Sequence, residues 1–151
     1  MAPPFEARGA MKIVHAHKGI GGSLAKQIQL PPEGEKVPVS LSVTVDRGGI
    51  TWTRKFGDFR AVSRQIVSGR TFTEMAGPFA LTFRIEPRGK AVEHIQVKTQ
   101  LFGVPVPRLL GPSVTGSIGP GQDESSWTVF VDIGHPWLGS ICRYEGAMRI
   151  A

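Results

Sequence analysis

The stretch Leu101-Phe-Gly-Val-Pro-Val-Pro-Arg-Leu-Leu-Gly-Pro112 holds three prolines and two glycines among apolar side chains. Proline has no amide hydrogen to donate to a sheet ladder, so this stretch is not a central strand. It is too apolar for an ordinary solvated loop and too interrupted for a helix. The sequence therefore predicts an extended, buried crossover segment, which we call the proline strap, with strands before and after it.

Alternating apolar and polar side chains on both sides of the proline strap indicate strands. The clearest alternation covers residues 37–45, where every second residue is Val or Leu. In the run 92–102 the same period puts His94 and Gln96 on the face opposite Thr99. Similar patterns cover residues 11–17, 50–56, 59–67, 71–75, 79–85, 113–118, 127–133 and 140–150.

These runs give nine to ten strands in consecutive order, joined by short turns, which favours antiparallel neighbours. A sheet this wide curls or closes, so we predict a mainly β fold, a curved antiparallel meander or partly closed β-barrel. One short N-terminal helix is predicted, with Ser23 as its N-cap and Pro31 ending it. We assign residues 1–10 to a flexible N-terminus and residues 11–151 to a single β-rich domain.

Composition excludes several classes of protein. Cys142 is the only cysteine, which excludes an internal disulfide and a cysteine-rich zinc site. No apolar run approaches the ~20 residues that span a bilayer, and no secretory signal is present, so we expect a cytoplasmic protein without a membrane span. The net charge is +6, but the basic residues are spaced singly and not interleaved with aromatics, which argues against nucleic-acid binding.

No motif assigns a cofactor, a metal or a catalytic residue. The chain has no phosphate loop, no dinucleotide fingerprint and no Gly-x-Ser-x-Gly elbow. His15 and His17 have a spacing compatible with metal binding, but a metal site needs a third ligand, and neither His94 nor His135 has a spacing that suggests one. Whether the chain is an enzyme therefore stays open.

Polar side chains that interrupt apolar strand faces are the best candidates for a site. Arg54 lies between Trp52 and Phe56, and Asp132 shares its face with Phe130. The candidate ligand-binding cluster is Arg54, Glu74, Asp132 and Tyr144, and the candidate pocket lining is Trp52, Phe83, Phe130, Pro105 and Pro107.

Two accounts of this cluster compete if it converges inside the curved sheet. In the first, Arg54 pairs with Asp132 or Glu74, which satisfies buried charge and sets the strand register. In the second, the cluster holds the polar end of an apolar ligand or performs acid–base chemistry on it.

The same positions carry a family resemblance. The chain contains, in this order, Trp52-Thr-Arg54-Lys-Phe56-Gly57, Glu74-Met-Ala-Gly77-Pro78, Gly103-Val-Pro105-Val-Pro107-Arg-Leu109, Phe130-Val-Asp132, Pro136-Trp-Leu-Gly139 and Tyr144-Glu-Gly146. Over roughly residues 15–150 it resembles domain-of-unknown-function family 4166. Members of that family often follow a saccharopine-dehydrogenase-like or epimerase-like domain, which makes such a protein a candidate partner. The resemblance implies a residue pattern but no reaction.

Three functions follow as hypotheses. The favoured one is a non-catalytic module that binds a small apolar or amphipathic ligand inside the curved sheet, with Arg54 addressing an anionic group. The second is a cyclase- or isomerase-type enzyme with Asp132 or Glu74 as the base and Tyr144 as the donor, which a strongly raised carboxylate pKa would mark. The third is a docking domain for a reductase-like partner, which would have an exposed apolar patch and no internal cavity.

Overall fold

The computed structural model describes residues 3–15 and 30–151 of the chain, and this part folds into eleven strands. No helix long and apolar enough to cross a bilayer occurs in these ranges. The short helix predicted at Ser23 lies outside the described residues. The strands are β1 (Phe5–His15), β2 (Gly34–Asp46), β3 (Gly49–Phe56), β4 (Phe59–Ser68), β5 (Thr71–Ala76), β6 (Phe79–Arg88), β7 (Ala91–Leu101), β8 (Val104–Pro105), β9 (Ser113–Pro120), β10 (Ser126–His135) and β11 (Gly139–Ile150).

Ten of these strands form a closed antiparallel barrel in the order β1-β2-β3-β4-β5-β6-β7-β9-β10-β11, in which β11 pairs with β1. The two-residue strand β8 pairs with the last residues of β7 and is not one of the ten ring strands. The prediction of a mainly β, antiparallel barrel is confirmed, and the ten strands close into a ring.

Period-two alternation sends one face of each strand into the barrel. On β2 the inward residues Val39, Leu41 and Val43 are buried, as the apolar pattern of residues 37–45 predicts. The register places Leu41 opposite Arg54 and Val39 opposite Phe56, so the apolar face of β3 also points inward. Arg54 therefore projects into the interior of the barrel.

The core is packed against one side of the barrel. Its buried cluster comes from β1, β2, β3 and β11, together with Leu30: Ala7, Met11, Ile13, Leu30, Val39, Leu41, Val43, Phe56, Cys142 and Met148. On the opposite wall Phe72 and Phe83 form a separate buried pair with ring centroids 5.2 Å apart. Other inward side chains of that wall, such as Glu74 and His94, are only half-buried. The inward side chains on the side of β5 to β7 are therefore less tightly enclosed than those of the core.

The barrel has two distinct ends. Antiparallel connections place the turns at residues 57–58, 77–78, 102–103 and 136–138 at one end, which we call the strap end. The turns at residues 47–48, 69–70 and 89–90 and the loop 121–125 lie at the opposite end.

Two features of the strands differ from the sequence prediction: the start of β1 and the register of β7. Strand β1 begins at Phe5, not residue 11, because residues 5–10 pair with β2 and residues 7–10 pair with β11 as well. Strand β7 contains a bulge at Val97: Thr82 pairs with Lys98, but the next residue of β6 pairs with Gln96. The extra residue reverses the alternation, so Thr99 turns to the same side as Gln96 instead of the opposite side.

The proline strap is exposed, so the prediction of a buried crossover is wrong. Its first part turns back as a hairpin, because Phe102 and Gly103 both have positive φ, at 49° and 79°. The chain then runs beside β7, and the amide of Val106 donates to the carbonyl of Thr99 at 2.9 Å. Apart from the buried Gly111, its residues are exposed or half-buried. The strap fills a gap in the barrel wall and does not cross the core.

We expect Gly146→Ala to destabilise the fold by about 2 kcal/mol through overpacking. Gly146 lies on the inward face of β11 opposite Met11, and a Cβ atom there would collide with the carbonyl oxygen of Ala10. The matched control is Gly116→Ala, because the nearest atom to a Cβ there is Nδ1 of His94 at 3.5 Å, an ordinary contact. Urea unfolding of both variants tests this, and equal stability of the two would contradict the packing account.

Candidate functional site

Three neighbouring strands build a polar cluster inside the barrel. Nη1 of Arg54 on β3 donates to Oγ of Ser63 at 2.8 Å and to Oε1 of Glu74 at 3.2 Å. The Ser63 hydroxyl in turn donates to the same Glu74 oxygen at 2.5 Å. Ser63 lies on β4 and Glu74 on β5, so the cluster joins three consecutive strands of the wall.

The Arg54–Glu74 pair is held in its charged form. The two side chains are 24% and 22% exposed. Burial by itself would raise the pKa of Glu74, but the Arg54 charge and hydrogen bonds from Ser63, Arg54 and Gln65 together lower it. Burial likewise opposes the charge of Arg54, yet attraction to Glu74 leaves the pKa of the guanidinium raised. The positive charge of Arg54 is therefore balanced by the negative charge of Glu74 inside the protein.

Hydrogen-bonding groups without a partner surround this pair. Nε1 of Trp52 is buried and has no hydrogen-bond partner among the described residues. The Trp52 ring lies under the guanidinium of Arg54, whose Cζ is 5.3 Å from the ring centroid. Tyr144 projects inward from β11 and packs edge-on against Phe56, with ring centroids 5.6 Å apart. Its hydroxyl makes no hydrogen bond to the described part of the chain, and burial raises the pKa of Tyr144 to about 12.

His94 extends the cluster toward β7. Its ring meets Phe72 edge-on, with centroids 5.3 Å apart, and neither ring nitrogen has a hydrogen-bond partner within residues 3–15 and 30–151. Burial lowers the pKa of His94, and the negative charge of Glu74 opposes this only in part. The imidazole is therefore neutral near pH 7.

Asp132 does not join the cluster. It lies on the outer face of β10, where Arg143 Nη2 approaches Oδ2 at 3.0 Å and the Ser140 hydroxyl donates to Oδ1 at 2.7 Å. Its neighbour Val131 faces inward opposite Tyr144, so period two forces Asp132 outward. The four polar candidates therefore do not all converge: Asp132 faces outward, whereas Arg54 and Glu74 form a pair.

The predicted pocket residues are divided between the two sides of the wall. Trp52 and Phe83 face the interior. Phe130 lies outside, with Cζ of Arg143 5.6 Å from its ring centroid. Pro105 and Pro107 belong to the exposed proline strap.

The wall is incomplete between β7 and β9, a place that we call the seam. These strands pair only over residues 92–95 and 115–118. Beyond this the side chain of Gln96 replaces the ladder: Oε1 accepts from the amide of Val114 at 2.6 Å, and Nε2 donates to the carbonyl of Pro112 at 2.9 Å. Nη2 of Arg108 donates to the Gln96 carbonyl at 3.1 Å, which ties the proline strap to β7.

A cleft of about 810 Å³ follows the seam. It is lined by the inward residues His94 and Gln96, by outward residues such as Phe130, and by Pro105 and Arg108 of the proline strap. Residues from both faces of the wall therefore meet at one cleft. Within the described ranges, no group of three or more His, Cys, Asp or Glu side chains could hold a metal ion.

Sequence reasoning missed Ser63, His94 and Gln96 as members of the site. The signal for Ser63 was present, because it interrupts the inward face of β4 just as Arg54 interrupts that of β3. Gln96 gave no such signal, because its role depends on the bulge at Val97 and on the gap in the seam.

Comparison with known families confirms the resemblance seen in the sequence. A family described as Domain of unknown function (DUF4166) matches residues 3–148. The chain belongs to this family. Within the DUF4166 domain, the motifs that carry Arg54, Glu74 and Tyr144 place these side chains inside the barrel. Neither the curated proteins nor the solved structures contain a significant match.

Arg54→Met should destabilise the protein by about 2 kcal/mol, because it leaves the Glu74 carboxylate half-buried without its cation. The double variant Arg54→Met/Glu74→Gln should recover part of that loss. Arg143→Met is the matched control: it breaks the outer pair with Asp132, where Arg143 is 52% exposed, and should cost less than about 1 kcal/mol. Thermal and urea unfolding measure all three, and an unchanged melting temperature for Arg54→Met would contradict a structural role of the pair.

His94 should make stability depend on pH. Because the fold lowers the pKa of His94, the unfolded chain takes up its proton first as the pH falls, so this contribution is complete above about pH 6.5 and is lost on acidification. We expect the free energy of unfolding to fall as the pH drops below about 6.5, and this part of the pH dependence to be absent from the His94→Phe variant. Urea titrations at several pH values test this. The prediction would be refuted if the free energy of unfolding of His94→Phe depended on pH as strongly as that of the parent protein.

Proposed function

We propose that this domain is a non-catalytic container that holds a small amphipathic ligand in the loosely filled side of its barrel. One observation carries the proposal: the buried indole N–H of Trp52 has no hydrogen-bond partner among the described residues. The half-buried side chains of Tyr144 and His94 also make no hydrogen bond to the described part of the chain. Buried polar groups are nearly always hydrogen-bonded, because an unpaired one forfeits its hydration without compensation. A ligand that supplies the missing partners removes this cost.

The charges indicate what the polar end of the ligand resembles. Arg54 is neutralised by Glu74, so it does not attract a carboxylate as the sequence suggested. The remaining donors are the Trp52 indole and the Tyr144 hydroxyl, and His94 is neutral. A neutral acceptor such as a carbonyl or hydroxyl suits this set better than an anion. Phe83 and other apolar inward residues would cover the rest of the molecule.

The seam is the natural entrance for such a ligand. The cleft there has a volume of about 810 Å³, within the range of small-molecule sites. Inward residues and residues of the proline strap line it together. The strap is attached by the hydrogen bonds around Gln96, by the Val106–Thr99 bond and by two residue pairs between β8 and β7, fewer pairs than join any two neighbouring strands of the ring.

The electrostatics do not favour the cyclase or isomerase alternative. A general base for use near neutral pH needs a pKa close to 7. Arg54 and Ser63 lower the pKa of Glu74, which makes it a weaker base. Asp132 faces outward, away from Tyr144.

Native mass spectrometry of the purified protein, followed by organic extraction, tests the container directly. We expect a stoichiometric adduct with an apolar skeleton and a neutral polar group. A clean apo mass, together with failure to bind any neutral amphiphile, would overturn the proposal.

Nile red, a neutral apolar dye with a carbonyl group, tests the location of the site. Val114→Trp, which fills the cleft at the seam, should weaken dye binding by roughly tenfold. Val62→Trp introduces the same side chain on the outer face of β4 and should have no effect. Tyr144→Phe and Trp52→Phe each remove one donor and should weaken binding by about three- to tenfold. Equal effects of Val114→Trp and Val62→Trp would show that the dye binds elsewhere.

A further inference from the structure

The strap end of the barrel displays large apolar side chains to solvent. Phe102 is 81% exposed and Trp137 is 69% exposed. Three aliphatic residues of the proline strap accompany them: Val104 at 63%, Leu109 at 57% and Leu110 at 62%. Single exposed apolar residues are ordinary, but a group at one end of a domain marks an interaction surface. We call these five residues the apolar rim.

Phe102 is held outward by an unfavourable backbone conformation. It is the only described non-glycine residue with positive φ, at 49°, and Gly103 beside it has φ of 79°. Asn-Gly or Asp-Gly is the usual choice for such a hairpin turn, because those residues tolerate this conformation. A phenylalanine here incurs both strain and exposure, which a purely structural turn would not require.

Two segments of the chain form one continuous sector of the strap end. Pro105 and Arg108 of the proline strap and Pro136 of the β10–β11 turn line the same cleft. Trp137 follows Pro136 directly, so its ring belongs to the same sector as the strap.

The charge of this sector is positive and uncompensated. Residues 97–113 contain Lys98 and Arg108 but no Asp or Glu, and residues 133–141 contain no acidic residue either. Neither cation forms an ion pair with the described residues.

The opposite end of the barrel carries both paired and unpaired cations. Several of its cations are matched by carboxylates, namely Arg64 with Asp46, Arg84 with Glu86, Arg88 with Glu93 and Arg149 with Asp123. Arg47, Arg70 and Lys90 at that end form no ion pair with the described residues, so unpaired cations occur at both ends. The strap end is distinguished by the exposed aromatic side chains of Phe102 and Trp137 beside its cations.

We propose that the strap end docks on a membrane surface that contains anionic phospholipids. Phe102, Leu109 and the rest of the apolar rim enter the boundary between headgroups and acyl chains, and Trp137 takes the interfacial position that indole rings prefer. Lys98 and Arg108 face the headgroup phosphates. A nucleic acid would satisfy the cations but not the aliphatic side chains.

This docking surface is independent of the lumen. It uses outward residues, and its test does not require the interior to hold a ligand. The seam opens beside it, so a docked barrel would face its cleft toward the lipid.

Co-sedimentation with vesicles of defined composition tests the proposal. The full chain should bind vesicles of phosphatidylcholine with about one-third phosphatidylserine, and bind pure phosphatidylcholine weakly. Raising the salt to about 0.5 M should release much of the bound protein. Absence of binding to the anionic vesicles would overturn the proposal.

Paired variants locate the surface. Phe102→Asp and Leu109→Asp should each weaken vesicle binding on the order of tenfold. Val67→Asp is the matched control at the opposite end, where Val67 is 59% exposed, and it should bind as the parent does. Lys98→Gln should weaken binding to anionic vesicles by about fivefold, whereas the charge-matched Lys90→Gln at the far end should not. Circular dichroism melts confirm that each variant is folded.

Two further outcomes would count against membrane docking. Equal losses in the strap-end variants and their controls would show that binding follows net charge alone. A dimer in solution that Phe102→Asp dissociates, without vesicle binding by the parent, would assign the apolar rim to contact between two copies.

Discussion

Closure of the sheet is the constraint on which the rest of the structure depends. Once ten antiparallel strands form a ring, each strand has one interior and one exterior face, and period two decides the environment of every side chain. Arg54 becomes an interior cation because it follows Trp52 by two residues. Asp132 becomes an exterior anion because it follows Val131 by one. The same rule therefore places one polar candidate inside the barrel and the other outside it.

The positive charge of Arg54 is balanced by a side chain on a nearby strand and not by one across the barrel. Arg54, Ser63 and Glu74 lie on three consecutive strands, so the pair forms without any side chain having to span the lumen. This leaves Tyr144 and His94, on strands farther around the ring, with no protein partner for their polar atoms. The core is packed on the β1–β3 and β11 side, where Tyr144 also lies, and the looser side around β5 to β7 is where we propose that a ligand binds.

The proline strap explains why the wall has a weak place. Its prolines cannot complete a ladder with β7, so Gln96 substitutes side-chain hydrogen bonds for the missing backbone pairs. The same interruption forces the connecting chain outward, which exposes Phe102 and its apolar neighbours. A single sequence feature thus produces both the seam beside the lumen and the apolar rim at the strap end, and this links the two proposals in space although they rest on different residues.

The amino-acid sequence by itself determined the fold class, nearly all of the strands and the inward faces of β2 and β3, because period-two alternation and turn residues are local signals. It also pointed to Arg54 and Glu74, since a charge on an apolar face is visible without a structure. Only the tertiary structure decided that Asp132 faces outward, that Val97 bulges and that the strap is exposed. Each of these depends on how distant strands pair and close, and pairing across the ring is a property of the whole sheet rather than of any one stretch of sequence.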